Sequence, residues 1–270
     1  MKKFLAAALG FLLAVAPVSA EQPKAQEYRE ILASGNFYVE YDDKNSKRIL
    51  AEENGLRMER TDLSGSYRAA VSILNPVAAL FSDRNFPNFM HSGGKYFRFL
   101  ESDEVVMAEE TQLDDENLNP TEGWSLAAKQ LSLPDELAVL NWHDKFHKVS
   151  PAVSEPVFTK SFRKKVDGRE YDCDRYESTV KNAGGGTDAT IIFDLCYDKG
   201  SLAVAQSAIF ANDKEYAGNK ITVKKFQREI PKGALSFSRN AEVFAAGVGD
   251  MNDLLEKPVL VGKLKEVLGS

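Results

Sequence analysis

Two histidines, His143 and His147, stand four residues apart in a stretch with the apolar spacing of a helix. Imidazoles at that spacing lie on one helix face and can share a metal ion. The residues between them include no glutamate to act as a base, and the remaining histidine, His91, lies far away in the chain. His143 also continues an apolar stripe with Val139 and Phe146. We therefore interpret His143 as a packing residue and predict no metal site.

A calcium-loop pattern begins in the acidic stretch before the middle of the chain. Asp115, Asn117 and Asn119 imitate the first three oxygen ligands of such a loop. However, Pro120 stands where the loop requires glycine, and Leu126 stands where it requires a bidentate glutamate. The stretch is therefore interpreted as a solvated acidic loop.

Motifs for nucleophilic catalysis and phosphate binding are also incomplete. Ser64-Gly65-Ser66 lacks the G-x-S-x-G frame of a nucleophile elbow. Gly184-Gly185-Gly186 lacks the following Gly-Lys-Ser/Thr of a phosphate loop, and it joins two predicted strands rather than a strand and a helix. We predict that the protein is not an enzyme, has no catalytic residue and carries no cofactor.

The two cysteines, Cys173 and Cys196, are predicted to form a disulfide across a hairpin. Opposed residues of an antiparallel hairpin have a constant index sum, and the sum for the cysteines centres the turn on Gly184–Gly185. The same register places Tyr176 opposite Phe193 as a cross-strand aromatic pair. Closing a loop of this length should contribute roughly 3 kcal/mol. A redox or metal-binding pair is disfavoured because the C-x-x-C spacing is missing.

The first twenty residues have the pattern of a cleaved export signal. Lys2 and Lys3 precede an apolar run from Phe4 to Ala16, and Val18-Ser19-Ala20 supplies the small residues of a cleavage site. The run would rise about 20 Å as a helix, which is short for a ~30 Å membrane core. We expect residues 1–20 to be removed and residues 21–270 to form one domain in the bacterial periplasm. An uncleaved anchor is the alternative.

The charge balance restricts the classes of partner. The formal net charge is −6, and it becomes −8 when the two lysines of the signal are removed. With a pI near 5.3, the chain lacks the basic surface that nucleic acid binding requires. Apolar runs after the signal are shorter than a membrane span. We therefore predict neither a nucleic acid partner nor an integral membrane protein.

The mature chain is predicted to begin with a helix, Pro23–Ser34, followed by three strands. Asn54-Gly55 is a strong two-residue turn that pairs Ala51 with Met58 and Ile49 with Arg60. A three-residue loop at Asp43–Asn45 would pair Phe37 with Ala51 and Val39 with Ile49. Together these registers predict one apolar face, made of Phe37, Val39, Tyr41, Ile49, Ala51 and Met58.

Arg60 is the polar residue that this register places on the same face as Val39 and Ile49. An arginine at the mouth of an apolar cavity could gate it or hold an ester or a carboxylate. Alternatively, Arg60 lies at the strand end and extends its charged group to water.

Helices are predicted to interrupt and follow the later strands. Trp124 and Leu131 lie on one apolar helix stripe, and a second helix, with Trp142, is expected from Pro134 to about His147. After a hairpin at Lys95–Leu100 and Val105–Leu113 and these helices, a five-strand meander is expected from Val157 to Ile230, and a helical tail from Ala241 to Leu268. About ten strands with helices indicate an α+β fold with a large antiparallel sheet.

The order of these elements, closing with Ile230-Pro231-Lys232-Gly233-Ala234, resembles the family of periplasmic lipoprotein carriers and their outer-membrane acceptors (LolA/LolB-like). The resemblance implies an incomplete, curved antiparallel barrel whose concave face is covered by helices, with acyl chains held in the hollow between them. No functional residue of that family can be matched to a position of this chain.

The resulting expectation is a carrier of lipid or of an acylated lipoprotein. Its cavity would be lined by the apolar face above, by Arg60, and by three residues on the mid-chain helices: Trp124, Leu131 and Trp142. The alternative is a non-enzymatic structural or regulatory protein that interacts with another envelope protein.

Overall fold

The described part of the chain is organised by one sheet of twelve strands. A computed structural model describes residues 23–44, 46–63, 88–101, 105–111, 132–144, 152–184, 187–239 and 241–246. The helical elements are an α-helix, α1 (Pro23–Ala33), and a 3-10 helix, Asp135–Leu140. The strands are β1 (Phe37–Asp42), β2 (Ser46–Glu53), β3 (Leu56–Leu63), β4 (Asn88–Ser92), β5 (Lys95–Glu101), β6 (Val105–Thr111), β7 (Val157–Val166), β8 (Arg169–Gly184), β9 (Thr187–Asp198), β10 (Ser201–Ala211), β11 (Lys214–Gln227) and β12 (Glu242–Ala246).

The spatial order of the strands is β12-β6-β5-β4-β3-β2-β1-β11-β10-β9-β8-β7. The β6–β12 pair is parallel, and the other neighbours are antiparallel. The hairpin of β5 and β6 and the meander from β7 to β11 confirm two predictions from the sequence. The antiparallel sheet itself is also confirmed.

The predicted α+β class, with helices over the concave face of an incomplete barrel, is wrong. In the described part of the chain, strands make up 64% and helices 10%, the sheet does not close, and the helices do not cover a concave face. One reason is that the segment expected to be a helix from Pro134 to His147 forms only a six-residue 3-10 helix in its described part. Another is that Glu242–Ala246, expected to begin a helical tail, extends as a strand beside β6.

The main core lies on the face of the sheet that carries Phe37, Val39 and Tyr41, which we call the helix face. Both helical elements pack here against β1 and β8–β11. Their buried apolar side chains are Ala25, Tyr28, Ile31 and Leu32 of α1, and Leu137, Ala138, Val139 and Leu140 of the 3-10 helix. The Arg29 guanidinium donates to the Val139 carbonyl over 2.8 Å and so ties the two helical elements together.

The predicted register between β1 and β2 is wrong by one residue. Tyr38 pairs with Ala51, and Val39 pairs with Leu50. The cause is the Asp43 side chain, which accepts hydrogen bonds from the Ser46 amide at 2.7 Å and the Ser46 hydroxyl at 2.8 Å. The Asp43 amide also donates to the Ser46 carbonyl, so the loop closes one residue tighter than expected.

Because side chains alternate along a strand, this slip moves Ile49 and Ala51 to the opposite face of the sheet. The β2–β3 register agrees with the prediction and pairs Ala51 with Met58 and Ile49 with Arg60. All four side chains therefore lie on that opposite face, which we call the groove face.

The cysteine hairpin is confirmed. Cys173 pairs with Cys196 and forms a disulfide with it, and Tyr176 pairs with Phe193. Both cysteines lie on the groove face, buried in a small apolar cluster with Val166 and Val204.

Several predicted features lie outside the described residues. They are the export signal, Trp124, Leu131, His147, the calcium-like loop, Ser64-Gly65-Ser66 and most of the expected helical tail. Within the ranges given above, no helix combines the length and the apolar character needed to cross a membrane.

Candidate functional site

The described residues among those predicted to line one cavity lie on both faces of the sheet. Phe37, Val39 and Tyr41 are buried in the core of the helix face, in contact with the helical elements. Trp142 packs on the same core, edge-on to Phe193 with ring centroids 6.5 Å apart. The other four described residues of the predicted lining, Ile49, Ala51, Met58 and Arg60, lie on the groove face. The structure therefore does not bring these residues together.

Arg60 is a buried clamp, and its charged group does not extend to water as the alternative interpretation expected. Its Nε donates to the Glu101 carboxylate over 2.9 Å, and both groups are about 9% exposed. Its Nη atoms donate to the carbonyls of Ala234 and Ser236. These carbonyls belong to residues 230–239, which follow β11 and which we call the strap. Arg60 thus holds the strap over the groove face of β3–β5, where Phe237 packs edge-on to Phe99.

A groove with a volume of about 780 Å³ opens on the groove face of β8–β11. The turn between β1 and β2 and the side chain of Lys164 in β7 form its walls. Ile192, Ala208 and Phe210 supply apolar surface, and charged side chains of both signs complete the lining.

The sheet forms a groove here because its β7–β8 end curls over this face. Strand β11 is four positions from β7 in the sheet, about 19 Å away if the sheet were flat. Nevertheless, the Lys220 ammonium of β11 donates to both oxygens of Asp167, in the β7–β8 turn, at 2.7 and 2.6 Å. That ion pair joins the β7–β8 turn to Lys220, which lines the groove. Asp167 and Gly168 both have positive φ, which makes the tight turn that carries this carboxylate.

The floor of the groove is part of a row of polar residues that crosses five strands, and Lys160, at one end of the row, lies outside the groove lining. Lys160 pairs with Arg175, Arg175 with Asp194, Asp194 with Gln206, and Gln206 with Lys220. Directly paired residues point to the same face, with Cβ atoms about 5 Å apart. Register alone therefore gathers three cations, an acid and an amide along one line.

An ion triad forms the centre of this row. Asp194 accepts hydrogen bonds from Arg175 Nε and Nη2 at 2.7 and 2.9 Å and from Lys164 Nζ at 2.7 Å. Burial acts to raise the pKa of Asp194, but the hydrogen bonds from Arg175 and Lys164 outweigh it and hold the pKa below its usual value. The carboxylate therefore stays charged. The Arg175 guanidinium also lies 5.0 Å from the centre of the Phe162 ring.

Gln206 carries an unusual polar atom. Its Oε1 is buried and has no hydrogen-bond partner in the described part of the chain. A buried acceptor without a donor costs free energy, so such an atom is a candidate contact for a ligand.

A second polar cluster lies on the helix face. Arg48 donates to Glu59 Oε1 over 3.0 Å, and the other carboxylate oxygen of Glu59 has no partner among the described residues. Burial raises the pKa of Glu59 to about 8 despite Arg48. Nearby, burial also raises the pKa of Glu136, which accepts a hydrogen bond from Ser207 at 3.1 Å. This cluster is enclosed in the core, so it bears on stability rather than on ligand binding.

The sequence patterns did not predict the roles of Lys164, Arg175, Asp194 and Gln206. The sequence does contain a signal for the Arg175–Asp194 pair, because the register set by the cysteines also places these two residues opposite each other. Of the histidines, His91 and His143 belong to the described part of the chain. His143 is exposed, His91 stacks on Tyr96, and no group of metal-binding side chains occurs in the ranges that the structure covers.

Comparisons with known proteins assign no family. No family model matches the chain, and no curated protein matches it. Two solved structures of PNGF-II, in space groups C2 and P21, superpose with a TM-score of 0.31 and 7% identity. The matches cover 82% and 83% of this chain but 33% and 34% of the PNGF-II chains, so this chain spans about a third of their length. At this similarity they assign neither a fold nor a function.

Proposed function

We propose that this protein is a non-enzymatic periplasmic binding protein whose groove holds a peptide segment of an envelope protein. The observation that supports the proposal is the groove itself. Its volume of about 780 Å³ is in the range of ligand sites, roughly 300–1,000 Å³. Its lining combines both signs of charge with apolar side chains, which is the mixture that a peptide can match.

An acyl chain, the ligand implied by the resemblance, would fit this groove poorly. It would remove Lys164, Arg175 and the Gln206 amide from water and offer no hydrogen bond in return, which is costly. A peptide replaces the lost water contacts with its own amides and side chains. Lipid carriage is therefore kept as the competing outcome of the experiment.

The ionised groups of the floor suit binding rather than proton transfer. Asp194 is held charged by two cations, whereas a general acid or base needs a pKa near the working pH. The disulfide supports an oxidising, exported compartment, and the periplasm is the compartment we propose.

The test is selection of binders from a random hexapeptide display library, with a fluorescent fatty acid assayed in parallel. Ala208→Trp places a large side chain in the groove, opposite Gly218, over which the Glu215 carboxylate lies. It should weaken the selected peptides about tenfold or more. Ala217→Trp is the matched control, because Ala217 is exposed on the other face of the same hairpin.

Peptide binding that Ala208→Trp removes and Ala217→Trp retains supports the proposal. Absence of selected peptides, or equal binding by the two variants, contradicts it. Saturable uptake of the fatty acid that only Ala208→Trp removes would establish the lipid carrier instead.

A further inference from the structure

The ion triad of the groove holds two cations for one acid. Lys164 and Arg175 share Asp194, so the triad keeps one positive charge in excess. The acid is the deepest of the three, since its side chain is 4% exposed while those of Lys164 and Arg175 are 33% and 22% exposed. A ligand in the groove therefore meets the cations first, and an anionic group can contact them without breaking their bonds to Asp194.

The size of this excess charge limits the kind of anion. Among the described residues, four acidic and four basic side chains line the groove, so the charges of this lining balance. A polyanion would meet the acids as well as the cations. A single carboxylate, placed at Lys164 and Arg175, gains charge-assisted hydrogen bonds without that repulsion.

Besides the carboxylate, Gln206 requires that the ligand supply a hydrogen-bond donor. It stands directly opposite Asp194 in the register of β9 and β10, and its buried Oε1 lacks a donor within the described structure. A ligand that brings an N–H group next to its carboxylate would satisfy both features at once. In a peptide, a carboxylate lies next to an amide N–H in two places. One is the free C-terminus, and the other is an aspartate or glutamate whose side chain lies near its own backbone amide.

We infer that the groove selects peptides by a carboxylate bound to Lys164 and Arg175, with a neighbouring amide N–H donated to Gln206. This inference rests on the proposed function and names the chemical groups of the peptide that the groove recognises. The carboxylate has two sources, a free C-terminus and an aspartate or glutamate side chain, and the experiment separates them.

Three random hexapeptide libraries test the inference on the full mature protein. The first has free C-termini and no acidic residues, the second has amidated C-termini and includes acidic residues, and the third is amidated and has none. We expect enrichment from the first or the second library, which identifies the source, and little from the third. Equal enrichment from all three, lost in Ala208→Trp, would overturn the carboxylate inference and leave the peptide-binding proposal standing. No enrichment from any library would contradict the proposed function itself.

Substitutions then test whether the peptide carboxylate binds to the cations of the triad. Lys164→Gln should weaken the enriched peptides about tenfold, whereas Lys164→Arg should retain most of the affinity. Lys165→Gln is the matched control, because it removes the same charge from an exposed position on the other face of β7. Binding should also weaken as sodium chloride is raised. If Lys164→Gln and Lys165→Gln bind equally well, the inference is wrong.

Discussion

Glu59 is the residue whose surroundings depart most from those of an ordinary surface glutamate. It is 1% exposed on the helix face, bound by Arg48 on one oxygen, and its pKa rises to about 8 because burial disfavours the charged form. In the unfolded chain the same group titrates near 4.5. Between these values the native state holds a proton that the unfolded state has released. The contribution of Glu59 to stability is therefore complete below pH 4.5 and is lost as the pH rises towards 8.

Glu59→Gln should flatten this dependence, because glutamine resembles the protonated acid and can still accept from Arg48. The wild type should lose stability from about pH 5 to about pH 8, by at most about 1.4 kcal/mol per unit from this group. Urea unfolding at several pH values measures the difference between the two proteins. Glu53→Gln, an exposed position in the same hairpin, serves as the control and should keep the wild-type slope. Equal slopes for the wild type and Glu59→Gln would contradict the assignment.

The β8–β9 hairpin is the element on which the groove floor depends. Arg175 and Asp194 each lie two residues from a cysteine of the disulfide, on the same face. A slip of one residue between these strands would send one partner of each pair to the other face. The disulfide, which joins positions 23 residues apart, therefore holds the register of the ion triad as well as the hairpin.

Replacing both cysteines by alanine should lower the free energy of unfolding by roughly 3 kcal/mol, since the unfolded chain loses its cross-link. Urea unfolding measures the loss, and dithiothreitol should destabilise the wild type but not the double variant. A loss below about 1 kcal/mol would show that other contacts of the hairpin set its stability. Far-ultraviolet circular dichroism checks that the sheet is kept in the double variant.

At the scale of the whole molecule, Arg60 joins parts of the chain that are more than 170 residues apart. It connects β3 and β5 to the strap, and the strap covers the apolar cluster of Met58, Phe99 and Val106. Both members of the Arg60–Glu101 pair are buried, so removing one leaves the other charge unpaired.

Arg60→Met should therefore cost about 3 kcal/mol and release the strap. Limited proteolysis with trypsin measures the release, because the strap contains the exposed Lys232 and Arg239. Cleavage after Lys232 should be faster in Arg60→Met than in the wild type. Lys47→Met removes an exposed lysine paired with Glu40 and should change stability by less than about 1 kcal/mol, with no change in cleavage. Equal cleavage of Arg60→Met and the wild type would contradict the role of the clamp.

The sequence alone determined the hairpins whose turns specify their own register. Asn54 and Gly55 have the positive φ values of a two-residue turn, and the predicted β2–β3 pairing follows from it. The two cysteines likewise predicted the register of β8 and β9. That register already places Arg175 opposite Asp194 in the groove. These features depend on residues close in the chain, so local chemistry is sufficient.

Only the tertiary structure decided which of two possible β1–β2 turns forms, where bulges lie, and which distant strands pair. The Asp43–Ser46 bonds moved β2 by one residue and divided the expected cavity between two faces. A bulge between Leu202 and Val204 sets which residue of β10 faces Asp194, and so places Gln206 in the groove. Strand β1 lies beside β11, and β6 lies beside β12, so both strands have a neighbour from the far end of the chain. Such pairings arise from the packing of whole strands, which no local pattern records, and they decide where the groove lies.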